Sequence, residues 1–106
     1  MERNLTKPES RLVRELLQRS GVNMESDWLE KVKVIPMRDG GMGSLRFNSA
    51  DSDRKMSSQA AEIHFKDADG VDVIASLNLD HEGSPIELDI WKVNFMELIR
   101  IPDSFE

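Results

Sequence analysis

Glu87 and Asp89 stand two residues apart in Ile86-Glu87-Leu88-Asp89-Ile90-Trp91-Lys92-Val93. That stretch alternates apolar and polar side chains, so both carboxylates fall on one face of a strand. Two carboxylates on one face are the smallest set for general acid–base work, but no neighbouring residue marks either as the acid or the base. Two solvated acids are the simpler reading. Trp91 shares their register, opposite Ile86, Leu88 and Ile90, and Val93 and Phe95 follow it. A face carrying that much apolar area is not left wet. Either the C-terminal segment or a helix covers it, which is the usual outcome in a monomer, or another protein does.

The other candidates for chemistry are weaker. Gly40, Gly41 and Gly43 resemble a phosphate cradle, but a strand-like segment follows where a helix N-terminus is needed, and no Lys-Ser/Thr pair is present. A tight connection between strands is expected there. Asp67-Ala68-Asp69-Gly70 resembles the middle of a calcium loop. Aligning Gly70 with that loop's central glycine puts Phe65 and Ser76 at its first and last ligand positions, so it reads as a turn. His64 lies on the polar side of its strand with Glu62, and His81 sits between Asp80 and Glu82. Neither has the companions of a zinc site. No serine stands in a nucleophile elbow or a Ser-x-x-Lys context. The sequence therefore offers no catalytic residue, no cofactor and no metal ligand set.

Charge narrows the partners. The formal net charge is −6. The acids Glu62, Asp67, Asp69, Asp72, Asp80, Glu82, Glu87 and Asp89 face a single base, Lys66, in that part of the chain, which leaves the rest nearly neutral. This half would repel nucleic acid and attract a basic protein, although acids in turns and on wet strand faces also serve solubility alone. There is no cysteine, and no apolar run approaches the ~20 residues that cross a bilayer. The charged N-terminus lacks the apolar stretch of a signal peptide, so a cytoplasmic protein without membrane contact is expected.

The elements that must position these residues are legible from periodicity. Thr6-Lys7-Pro8-Glu9 is a helix start with a reciprocal capping box and a proline in the first turn. Leu12, Val13, Leu16 and Leu17 form its apolar stripe, and Gly21 its stop. Lys7, Arg11 and Arg14 lie along another face, read as solvated. Ser26 or Asp27 caps a second, short helix whose Trp28 and Leu29 tuck under the sheet. Residues 32–37 form a strand that Pro36 confines to an edge or an end. Leu45-Arg46-Phe47 is extended again. Residues 48–58 are polar and read as a mobile loop, open to proteolysis at Arg54-Lys55.

Three amphipathic strands follow, over 61–66, 71–79 and 86–93, joined by turns at Gly70 and Gly83. Phe95, Leu98 and Ile99 suit a short helix or an irregular segment docked on the core, ending at Pro102. The expected core is Leu16, Leu17, Ile63, Phe65, Val73, Leu77, Leu88 and Ile90.

Three stretches carry a resemblance. They are Asn4-Leu5-Thr6 with Glu9, Leu12, Leu16 and Leu17; Pro36-Met37-Arg38-Asp39-Gly40-Gly41-Met42-Gly43-Ser44-Leu45; and Leu88-Asp89-Ile90-Trp91-Lys92-Val93-Asn94-Phe95. Their order resembles a family of small bacterial proteins known only as a domain of unknown function. The resemblance implies a single α+β domain and no activity. The expectation is thus one domain over 1–106, with an N-terminal helix packed on a mostly antiparallel meander sheet of four to five strands. Its expected role is that of a small acidic, non-catalytic protein-binding domain, comparable to immunity or inhibitor proteins, with Glu87, Asp89 and Trp91 as the contact surface for a basic protein. The alternative is a small enzyme or ligand-binding domain built on the Gly40, Gly41 and Gly43 loop.

Overall fold

The computed structural model describes residues 1–48 and 55–105. Helix α1 (Lys7–Ser20) begins as its sequence dictates. Thr6 Oγ1 accepts from the Glu9 amide, the Glu9 carboxylate accepts from the Thr6 amide at 2.8 Å, and Gly21 closes the helix at φ 74°. Its stripe of Leu12, Val13, Leu16 and Leu17 is buried. A short helix α2 (Trp28–Lys31) follows, with Asp27 at its cap position but making no side-chain capping bond. Trp28 is partly buried and packs on the core residue Phe47, ring centroids 5.4 Å apart.

One antiparallel sheet of six strands carries the rest. The strands are β1 (Arg3–Asn4), β2 (Lys33–Pro36), β3 (Leu45–Phe47), β4 (Ser58–Lys66), β5 (Asp72–Leu79) and β6 (Pro85–Lys92), in the spatial order β1-β2-β3-β6-β5-β4. The meander β4-β5-β6 is present, and α1 covers one face of it, against β4 and β5. The sheet has six strands where four to five were expected. The missed strand is β1, two residues long and far below the length at which alternation is visible. It is held by the bidentate pair of Arg3 with Glu9 at 2.8 and 2.9 Å. Pro36 ends β2, which lies inside the sheet between β1 and β3. The strand expected over 61–66 starts earlier, at Ser58, across a register irregularity between Gln59 and Ala61. The loop expected over 48–58 lies largely outside the described residues, and its far end, Ser58, already belongs to β4.

The face under α1 is the core. Val34, Leu45, Phe47, Ile63, Val73, Ala75, Leu77, Leu88 and Ile90 line it with the α1 stripe and Ile101. Of the expected core only Phe65 is partly buried, because it stands near the outer end of the edge strand β4 and packs edge-on against Phe105 at 6.0 Å. Leu98 and Ile101 dock, but the C-terminal segment forms no helix, and Phe95 and Ile99 point outward at 68% and 58% exposure. Polar bonds rather than an apolar stripe fix that segment. The Ile99 and Arg100 amides donate to Asp67, and Arg11 donates to the carbonyls of Ile101 and Pro102. Arg11 is therefore a clasp on the C-terminal segment instead of part of a solvated face.

Candidate functional site

Strand β6 splits the polar chemistry of the molecule between two faces. Its inward register of Leu88 and Ile90 continues to Lys92, whose side chain is 1% exposed. Burying an ammonium is tolerable only with several acceptors around it. Lys92 Nζ donates to Asp67 at 2.8 Å, to Asp69 at 2.7 Å and to the Glu97 carbonyl at 3.1 Å. Burial by itself would lower the lysine pKa, but the two carboxylates overcome it and raise it. Asp67 is equally enclosed and also accepts from the amides of Ala68, Ile99 and Arg100. Burial would raise its pKa; the Lys92 ammonium and those amides reverse this and bring it down to about 2. The loop that resembled a calcium site thus holds a cation from its own chain.

The Gly40, Gly41 and Gly43 loop is likewise turned on itself. Asp39 accepts from the amides of Met42, Gly43 and Ser44 at 3.1, 3.4 and 2.9 Å. Burial opposes ionisation of Asp39, and the donors of Ser44, Gly43 and Met42 outweigh it, lowering its pKa. A side-chain carboxylate therefore occupies the donors a bound phosphate would need. Gly41 is required for another reason. Its φ of 84° lies in the left-handed region that favours glycine, a Cβ there would stand 2.7 Å from Glu97 Cγ, and the Gly41 carbonyl accepts the Leu98 amide at 3.1 Å. Ser44 finishes the connection as a substitute rung, accepting the Ile90 amide and donating to the Ile90 carbonyl.

The opposite face of the sheet presents the expected contact residues. Register sets Glu87 between Arg46 and Asn78, Asp89 beside Ser76, and Trp91 beside Ile74, with His64 and Glu62 of β4 in the next column. Trp91 is 41% exposed and Phe95 lies against it, ring centroids 6.2 Å apart at 55°. The C-terminal segment covers this tryptophan only in part, through Phe95; it leaves the strand in a turn closed by the Phe95 amide on the Lys92 carbonyl. Phe95 holds φ at 62°, a left-handed conformation that costs a side-chain-bearing residue about 1 kcal/mol or more. Glu87 accepts from Asn78 at 3.1 Å and is half-buried, whereas Asp89 is exposed.

The acidic excess is smaller on this face than its sequence suggests. Asp67 and Asp69 are turned onto Lys92, Asp80 is buried in its own turn on the amides of Glu82 and Ser84, Asp72 pairs with Lys66 at 2.7 Å, and Glu62 meets His64 at 2.8 Å. Asp89 is the carboxylate of β6 most open to a partner. Among the described residues, no three His, Asp or Glu side chains converge on a metal position, and no helix is long and apolar enough to cross a membrane.

Reading the sequence missed Lys92, Asp39 and Ser44 as organisers. Parity was the available signal for Lys92, which shares the even register of Ile86, Leu88 and Ile90. Nothing local could have named Asp67, 25 residues away, as its counter-ion. No curated protein and no solved structure matches this chain. A family model described as a domain of unknown function, DUF6984, matches residues 2–102, and the chain belongs to that family.

Proposed function

We propose that this protein is a non-catalytic binding domain that receives a basic protein on the open face of its sheet, in the manner of an inhibitor or immunity protein of the bacterial cytoplasm. The observation that carries the reading is the exposed pair Trp91 and Phe95, in ring contact, on the face that α1 leaves uncovered. A large aromatic in a shallow apolar patch is the residue type that dominates interface energy. A tilted pair of rings next to the open carboxylate of Asp89 suits an arginine or lysine side chain, stacked on the indole and oriented by the acid. Glu87, held by Asn78, adds negative potential that speeds encounter. The left-handed Phe95 supports the reading, because its backbone strain sets a 68% exposed ring against Trp91 rather than into the core. The ligand-binding alternative on the glycine loop has no such support, since Asp39 already engages its amides.

The test is retention of a protein from the native cell extract on immobilised wild type, followed by titration of the purified retained protein. Trp91→Ala is expected to weaken binding at least tenfold through faster dissociation, and Asp89→Lys to slow association and flatten the salt dependence. Equal affinity for all three proteins would remove this face as the site.

A further inference from the structure

The two edges of the sheet are built differently. One is β1, two residues long and tied down by the Arg3–Glu9 pair. The other is β4, nine residues long, without proline, and among the described residues without a backbone partner on its outer side. Soluble proteins shorten, bend or cover such an edge because its open amides and carbonyls pair with any extended chain. Here the register irregularity lies at Gln59 and Ala61, leaving 62–66 regular. A groove lined by His64, Phe65, Lys66, Asp72, Pro102, Ser104 and Phe105 lies where that stretch ends.

We propose that β4 pairs antiparallel with β4 of a second copy of this chain, about a two-fold axis through His64. The chemistry of the strand is self-complementary in that register. On the open face Glu62 stands opposite the partner's Lys66, and Lys66 opposite the partner's Glu62. On the face under α1 Ile63 stands opposite the partner's Phe65, which extends the apolar layer past the half-buried end of the strand. Directly opposed unlike charges favour a strand pair and like charges disfavour it, so the alternation Glu62-His64-Lys66 selects this pairing over others. Lys66 now meets Asp72, and Glu62 meets His64, in pairs whose side chains are 43–68% exposed. Such pairs are worth little in water, so exchanging them for contacts across the axis costs little. A foreign strand would need the same charges at the same spacing; a second copy has them by symmetry.

The experiment is sedimentation equilibrium at about pH 8, where an ordinary imidazole is neutral, on wild type, Glu62→Lys and Lys66→Glu. All are checked for native circular dichroism; both side chains are exposed on the face away from α1. Wild type is expected to dimerise with rising concentration, and each variant to do so about tenfold more weakly, since each places two like-charge pairs across the axis. Mixed in equal amounts, the two variants are expected to recover the wild-type dimer as a heterodimer. A strand with bases at both positions then faces a strand with acids at both, so each pair across the axis is again of unlike charge. Trp91→Ala should leave the dimer unchanged, which separates this interface from the surface proposed above. A wild type that stays monomeric up to about 1 mM, a dimer indifferent to both charge reversals, or a mixture that associates no better than either variant alone would each overturn the proposal.

Discussion

The two faces of β6 invert the usual placement of residue types. Inward, among leucine and isoleucine, stands a lysine 1% exposed; outward, among carboxylates, stands a tryptophan 41% exposed. Hydropathy alone would exchange them. The difference shows what controls each face. The inner position is set by geometry, because an ammonium one rung beyond Ile90 meets Asp67, Asp69 and the Glu97 carbonyl together and so links β6 to the β4–β5 turn and the C-terminal segment. The outer position carries no such network. Trp91 meets the Phe95 ring and stands beside Ile74, yet 41% of it stays open, so the fold uses only part of its size.

That contrast yields its largest expected effect on the inner side. Asp67→Ala takes from a buried ammonium one of its two carboxylates and leaves the amides of Ile99 and Arg100 without their acceptor, and is expected to cost about 3–5 kcal/mol in urea unfolding. Combined with Lys92→Met it should cost much less than the sum of the two single changes, because the double variant no longer buries an ammonium that has lost one of its carboxylates. Additive losses would mean that the two residues act separately.

A smaller effect is expected from pH. Asp67 has a folded-state pKa of about 2, below the 3.8 of an ordinary aspartate. A depressed carboxylate pKa means that the unfolded chain takes up the proton first, so the contribution is complete above about pH 4 and lost as pH falls toward 2. Thermal unfolding across that window should steepen in wild type and flatten in Asp67→Asn. An unchanged slope in the variant would show that other carboxylates govern acid unfolding.

The smallest effects belong to the outer face. Trp91→Ala is expected to change stability by less than about 1 kcal/mol, far below the usual loss for a core aromatic. Phe95→Gly should be neutral or slightly stabilising, since glycine adopts the left-handed conformation without strain. A loss of several kcal/mol in either variant would make the pair structural and erase the contrast between the faces.

Short-range pattern was enough to specify the local elements. Helix α1 was written in the box of Thr6 and Glu9, the leucine stripe and Gly21, and strands β4 to β6 in a period of two, because both signals depend on neighbours within a few residues. The same period placed Glu87, Asp89 and Trp91 on one face. Which acids remained on the surface was settled by long-range contacts, since Asp67 and Asp69 find Lys92 only after β6 has paired with β5. Those contacts also added β1, whose two residues carry no period, and left Trp91 open by fixing the C-terminal segment through Asp67 and Arg11. Local pattern specifies which way a side chain points along its own strand. Whether it meets a counter-ion, a covering segment or water depends on chain tens of residues away, and no short-range rule carries that information.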